Sequence, residues 1–189
     1  MENQIELSKP EAVIQQINLS YNAEQDRLLL RVGLADNTEL LLWLTNRITK
    51  SLWQLLNGET HLPTATSIQV ETPPQQAVAQ FKQEVEAVET LQKMDFATAY
   101  QPRKEVVHDA AMLAVSVQLI NVADKPPALE MPCLGGVNVR MNLTQELILA
   151  LTNMLQLSAK EAAWNIGSRT KTDIQITLAP DTTVKNILH

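Results

Sequence analysis

The residue with the strongest nucleophilic chemistry in this chain is its single cysteine, Cys133, which stands just before the pair Gly135-Gly136. A thiol beside a glycine turn could act as a nucleophile with backbone N–H groups nearby. Such a nucleophile needs a base, and the chain has three histidines, of which His189 is the last residue and His61 falls in a connector. We therefore interpret Cys133 as a buried or edge residue rather than a catalytic one.

The pair His108-Asp109 is similar to the paired ligands of metal-dependent phosphohydrolases. Those sites need further His and Asp ligands, and three histidines are too few to supply them. Gly135-Gly136 lacks the spacing and the lysine of a phosphate-binding loop, and it leads into a strand rather than into a helix N-terminus. The sequence thus predicts no metal, no cofactor and no catalytic residue.

Composition limits the partners of the chain. Its 189 residues, of which 45% are hydrophobic and 19% charged, suit one globular domain. A net charge of −6 disfavours non-specific binding to nucleic acid or to anionic membranes. A lone cysteine, a polar N-terminus and the lack of any apolar run near 20 residues lead us to expect a cytoplasmic protein without a membrane span.

Hydrophobic periodicity divides the chain into two strand-rich halves around a helix. In the first half we predict strands at 13–21, 28–34 and 39–44, then a helix capped by Thr45 that ends near Asn57. A connector follows, with a brief strand around 68–70, and then an amphipathic helix at 75–94. In the second half we predict one long or bent strand at 106–122, a short edge strand at 129–134 and a strand at 137–143.

The second half ends with more helix. Thr144 caps a helix that begins after the last strand. Ser158 and Glu161 have the spacing of a capping box, which predicts a further short helix over 159–166. A last strand is predicted at 173–178, and residues 181–189 are predicted to be a tail.

The two halves align without a gap when Leu44-Thr45 is set over Leu143-Thr144. In both, the final strand runs directly into an amphipathic helix. We predict an α+β fold of two β-meander-plus-helix repeats, at about 13–57 and 106–178, joined by a connector and helix at 59–95. They would form one mostly antiparallel sheet or two packed sheets, with the helices outside. The alternative is that any strand-to-helix joint capped by threonine looks similar.

Two strands of the first half are apolar on both faces, which indicates that both faces of their sheet are covered. These are the strands that contain Leu28-Leu29-Leu30 and 40–44. Trp43 and Leu41 point away from Leu42, and Trp53 lies at the edge of the apolar stripe of its helix. Aromatic residues off the main stripe are common at interfaces. Leu41, Trp43 and Trp53 are therefore our candidate self-association residues, and the alternative is that the tryptophans fill the core.

The duplicated sheet-and-helix outline resembles the Pur/Whirly type of single-stranded nucleic-acid binder, a resemblance at fold level that transfers no residue. The acidic charge and the lack of basic and aromatic strand patterns argue against that activity. Our first hypothesis is a non-enzymatic protein-interaction or assembly module that forms a homo-oligomer. The alternatives are a small-molecule or peptide-binding protein that uses a cleft between the repeats, a single-stranded nucleic-acid binder, and an enzyme with a dispersed site.

Overall fold

The chain folds into two β-sheets and three helices within the residues that the computed structural model describes, which are 3–6, 13–60, 74–108, 110–121 and 125–167. The strands are β1 (Asn3–Glu6), β2 (Ile14–Asn22), β3 (Arg27–Leu34), β4 (Thr38–Leu44), β5 (Glu105–Val106), β6 (Met112–Leu113), β7 (Gln118–Ile120), β8 (Ala128–Pro132) and β9 (Val137–Asn142). The helices are α1 (Asn46–Thr60), α2 (Pro74–Lys93) and α3 (Gln145–Glu161). The predicted α+β class is confirmed, with two sheets rather than one.

The first sheet is an antiparallel meander of β2, β3 and β4, extended by β5 and β6, which both pair with β4 in parallel. A tight turn at Asp36-Asn37 joins β3 to β4. Asn37 takes a positive φ of 66°, and the Asp36 carboxylate accepts a hydrogen bond from the Thr38 N–H at 3.0 Å. Asparagine tolerates this conformation better than most residues, so the turn fixes the register of the hairpin.

The second sheet has the strand order β1-β9-β8-β7, in which only β1 is parallel to its neighbour. Its hairpin turns at Gly135 and Gly136, whose φ values of 94° and 83° favour glycine. An isolated bridge between Ala114 and Cys133 connects this sheet to the end of β6. The two sheets therefore meet where β6 passes the end of β8.

One hydrophobic core joins the inner faces of both sheets to α1 and α3. Both helices begin directly after a strand, and each is capped by a threonine hydroxyl. Thr45 accepts from the Ile48 N–H at 3.4 Å, and Thr144 accepts from the Leu147 N–H at 3.3 Å. The apolar stripes of both helices pack into this core, where several of their residues are buried, among them Ile48, Leu52, Leu56, Leu151 and Leu155.

The strand pairing of the two hairpins follows the same constant offset that aligns the two halves of the sequence. Leu30 pairs with Leu42 in the first sheet, and adding 99 to both numbers gives Leu129 and Met141, which pair in the second. The same shift takes the first residue of α1 to the first residue of α3. Duplication as the origin of this relation stays a prediction.

Two strand predictions in the second half are wrong. The stretch 106–122 is not one strand, because it crosses from the first sheet to the second and pairs only briefly with each, as β5, β6 and β7. The predicted edge strand at 129–134 is β8, which is central in its sheet. Pro132 is tolerated there because it is the last residue of β8, and its carbonyl accepts from the Val115 N–H at 2.9 Å.

The predicted short helix at 159–166 is also wrong. α3 runs through Ser158 to Glu161 and is followed by a turn in which Ala163 has a φ of 54°. The Ser158 hydroxyl does not cap a helix, because it donates to the Leu19 carbonyl of β2 at 3.2 Å. The predicted strands at 68–70 and 173–178, and the tail at 181–189, lie outside the described residues.

Candidate functional site

The central strands of the first sheet have two apolar faces of very different burial. Leu28, Leu30 and Leu42 point inward and are fully buried. Side chains alternate along a strand, so the residues between them point to the opposite side, which we call the outer face. It consists of Gln16, Asn18 and Ser20 in β2, Arg27, Leu29, Arg31 and Gly33 in β3, Glu39, Leu41 and Trp43 in β4, and Leu113 in β6.

The centre of the outer face is an apolar cluster. Leu29 lies directly across from Trp43, and Leu113 pairs with Trp43 from the other side. Leu41 precedes Trp43 by two residues and therefore lies on the same face. All four side chains are half-buried. Among the described residues, α1 and α3 pack against the core and α2 packs against α3, so this cluster remains partly open to water.

Charged groups flank the cluster at one end. The Arg31 guanidinium lies 3.8 Å from the Glu39 carboxylate, and a third of the Arg31 side chain is exposed. Glu39 itself is only 4% exposed. A carboxylate this deeply buried is costly unless a cation or a hydrogen-bond donor compensates it. Arg31 supplies the cation, and this ion pair lies at one end of the outer face.

A segment between α2 and β5 covers the end of the outer face at Gly33. A Cβ atom added to Gly33 would lie 2.8 Å from Arg103 Nε and 3.2 Å from the Tyr100 hydroxyl. Burial, and next the adjacent Glu39 carboxylate, raise the pKa of Tyr100. The Gln16 side-chain amide donates to the Ala99 carbonyl at 3.3 Å and accepts from the Gln101 N–H at 3.1 Å. The missing side chain at Gly33 lets this segment approach closely.

Of the three candidate residues from the sequence, the structure brings Leu41 and Trp43 together and places Trp53 elsewhere. Trp53 lies in α1, is 8% exposed and belongs to the core. Its ring approaches Gly167 beyond the end of α3. The outer face therefore contains two of the three residues.

Sequence reasoning missed several participants in the outer face. Leu29 had a detectable signal, since the run Leu28-Leu29-Leu30 is apolar on both sides of the strand. Glu39 and Tyr100 had none, because a polar residue in a strand or a loop is ordinarily exposed. Their burial follows from long-range packing around Gly33, which no local pattern encodes.

Cys133 has the environment of a structural thiol. It is 4% exposed, and its Sγ donates to the Met131 carbonyl at 3.3 Å. Burial raises the pKa of Cys133 to about 11, whereas a nucleophilic cysteine needs a lowered pKa. His108 is exposed in the connection between β5 and β6, and Asp109 lies outside the described residues. No group of three or more potential metal-ligating residues forms within the described part of the chain.

A polar cleft of about 470 Å³ lies on the second sheet rather than between the two halves. Its charged groups bind each other: Arg140 lies 3.3 Å from Glu130, and the Gln118 amide donates to Glu130 at 3.1 Å. These contacts satisfy the Glu130 carboxylate, which is 8% exposed. Arg140, Glu130 and Gln118 therefore pair with one another in the cleft, whereas Asn138 Oδ1 and Arg140 Nε have no hydrogen-bond partner among the described residues.

The comparisons add no relative to this description. The chain matched no protein-family model, no curated protein and no solved structure. In the described residues, none of the helices has the length and hydrophobicity needed to cross a membrane. Interpretation of the outer face accordingly depends on its own geometry and chemistry.

Proposed function

We propose that the chain is a non-enzymatic assembly module that forms a homo-oligomer through the outer face of the first sheet. The observation that carries this proposal is the cluster of Leu29, Leu41, Trp43 and Leu113, which lies half-buried on β3, β4 and the short strand β6. Contiguous apolar patches bordered by polar residues are typical of interaction sites. In the part of the chain that the structure describes, each of these four side chains keeps some of its surface exposed to water.

The chemistry of the outer face suits a second copy of the same chain. Trp43 is a rigid aromatic anchor, and burial of the part of its side chain that remains exposed contributes about 1–2 kcal/mol. The charged residues on the face include both signs, Arg31 and Glu39. A face with both signs of charge can meet a copy of the same chain without net repulsion, although the chain as a whole has a charge of −6.

The proposal assigns no reaction to the chain. The buried Cys133 thiol, with its raised pKa, is the opposite of an activated nucleophile. A lone buried thiol is also compatible with a reducing compartment, so we propose a cytoplasmic location.

Native mass spectrometry of the full chain, purified without denaturation, tests this function. We expect a dimer or a higher multiple without added mass. Leu41→Glu places a carboxylate in the apolar cluster and is expected to yield a folded monomer. Leu134→Glu is the matched control, because Leu134 is 70% exposed in the turn of the second hairpin and should tolerate the charge.

Two outcomes would contradict the proposal. An oligomer that persists in a folded Leu41→Glu variant would show that another surface assembles the chain. A monomer with extra bound mass would instead favour the ligand-binding alternative and direct attention to the cleft on the second sheet.

A further inference from the structure

The side of the second sheet that faces away from the core differs in chemistry from the outer face of the first sheet. Adding 99 to the residue number takes Leu41 to Arg140. The same shift takes Trp43 to Asn142. Met141, which lies between these two residues on β9, is 1% exposed, so its neighbours point away from the core. The second sheet therefore has polar residues where the first sheet has its apolar cluster.

The cleft of about 470 Å³ lies on this polar side of the second sheet. Glu130 pairs directly with Arg140 across β8 and β9, and with Gln118 across β7 and β8. The three side chains therefore form a row across the strands that line the cleft. A cleft of this volume is typical of a binding site for a small molecule.

Two side chains that line the cleft contain buried polar atoms without a hydrogen-bond partner among the described residues. These atoms are Asn138 Oδ1, which is an acceptor, and Arg140 Nε, which is a donor. Asn138 and Arg140 are two residues apart, so both side chains project from the same side of β9. Both residues are half-buried, so rotation about their side-chain bonds can turn these atoms toward the cleft.

The polar groups of the cleft are poorly explained by stability. A buried polar atom without a partner lowers the free energy of unfolding. A buried ion pair such as Arg140 and Glu130 adds little to it, because the loss of hydration offsets the attraction. Recognition of a ligand is the other reason for a sequence to retain such groups.

We propose that this cleft binds a small uncharged molecule with several hydroxyl groups, such as a mono- or disaccharide. A hydroxyl group both donates and accepts hydrogen bonds. One ligand can therefore supply a donor to Asn138 Oδ1 and an acceptor to Arg140 Nε. The inference does not depend on the proposed function, because the cleft and the outer face lie on different sheets.

The charges of the cleft favour a neutral ligand. Arg140 lies 3.3 Å from Glu130, so the two charges compensate each other, and the Gln118 amide donates to Glu130 at 3.1 Å. An anion or a cation would have to compete with this pair or lie beside it without a counter-ion, and both arrangements cost free energy. A few hydrogen bonds hold a neutral ligand weakly, so the ligand dissociates during purification and adds no mass to the purified chain.

Titration of the full chain with a panel of uncharged sugars, followed by NMR, tests the inference. The panel contains glucose, ribose, maltose and sucrose at millimolar concentrations. We expect at least one of them to cause saturable shifts of the side-chain amide signals of Asn138 and Gln118. Asn138→Leu removes a buried oxygen that has no partner, so the variant should fold. It should bind that sugar on the order of tenfold more weakly, because one hydrogen bond is lost.

Asn142→Leu is the matched control, because Asn142 is exposed on the same strand and does not line the cleft. This variant should bind the sugar as tightly as the wild-type chain does. If Asn138→Leu does not fold, Gln118→Leu replaces it with the same expectation, since Gln118 is exposed.

Three results would contradict the inference. The first is the absence of a saturable shift with every sugar in the panel. The second is tighter binding of glucose phosphate or glucosamine than of any uncharged sugar, since the site would then favour a charge. The third is wild-type affinity in the folded Asn138→Leu variant, which would place the sugar elsewhere. None of these results bears on assembly through the outer face of the first sheet.

Discussion

At the residue scale, Gly33 shows how an absent side chain positions a distant segment. Tyr100 and Arg103 approach β3 in the space that a Cβ atom would occupy. Arg103 also donates from its guanidinium to the Gln15 side chain at 3.3 Å. The glycine is needed because of close approach and not because of a positive φ.

Gly33→Ala should displace Arg103 and weaken its hydrogen bond. Because an arginine side chain is flexible and can shift, we expect a loss of about 1 kcal/mol in the free energy of unfolding, measured by urea denaturation. Gly167→Ala is the matched control: its nearest neighbour would be the Trp53 ring at an ordinary 3.8 Å. Equal stability of the Gly33 variant and the wild-type chain would show that Arg103 does not occupy that space.

Cys133 gives the pH dependence of stability a definite sign. Burial raises its pKa from 9.0 to about 11 in the folded chain. As the pH rises, the thiol therefore ionises first in the unfolded chain. The contribution of the buried neutral thiol to the free energy of unfolding is complete below about pH 9 and is lost as the pH rises toward 11. We expect the free energy of unfolding to fall more steeply over this range in the wild-type chain than in Cys133→Ala. Parallel pH profiles would show that the thiol is accessible to water.

Cys133 was predicted to be a buried or edge residue and is buried, whereas the partners of Glu39 were not predicted. A lone cysteine without a neighbouring base has an ordinary structural explanation, and small apolar thiols are usually buried. Burial of Glu39 depends on Arg31, which precedes it by eight residues, and on Tyr100, which follows it by 61. Arg31 is brought near by the predicted hairpin, but the approach of Tyr100 has no local signature.

At the element scale, threonine caps determine where strands become helices. Thr45 and Thr144 each end an extended segment and supply a hydroxyl to the first turn of the helix that follows. The sequence predicted both joints because capping depends on residues within one turn. It did not predict that α3 continues past Ser158, because the hydroxyl of Ser158 could cap a helix or bind a distant carbonyl, and packing against β2 decides between them.

Thr144→Ala should remove the cap of α3. The Leu147 N–H would lose its acceptor, and we expect the free energy of unfolding to fall by about 1 kcal/mol. Thr144→Ser retains the hydroxyl, and we expect it to lower the free energy of unfolding by only about 0.3 kcal/mol. Thermal unfolding followed by circular dichroism measures both, and an equal loss in the two variants would assign the effect to the lost methyl group.

The strands of the first half were predicted more accurately than those of the second for a physical reason. β2, β3 and β4 form a continuous meander of strands seven to nine residues long, whose apolar runs are separated by polar turn residues. β5, β6 and β7 are two or three residues long and are divided between two sheets. A pattern with a period of two residues cannot show where such short strands begin or which sheet they join.

At the scale of the whole molecule, some apolar side chains of the described residues lie outside the core. The core contains the buried sides of α1 and α3, and the outer face and the exposed residues Val78, Phe81 and Val85 of α2 lie outside it. The sequence predicted the outer face in part, through Leu41 and Trp43, because a strand with two apolar faces needs two covers. It could not show that Trp53 is internal, since a residue at the edge of a helical stripe can face either side.

Sedimentation velocity of the full chain over a range of concentrations tests the central claim, which is self-association through the outer face. We predict that the wild-type chain sediments as a dimer or larger species and that Trp43→Ala shifts this equilibrium toward monomer. The loss of about 1–2 kcal/mol in one aromatic side chain per copy would weaken the assembly by on the order of tenfold or more. A wild-type chain that sediments as a monomer at every concentration, or a folded Trp43→Ala variant that associates as tightly as wild type, would contradict the account.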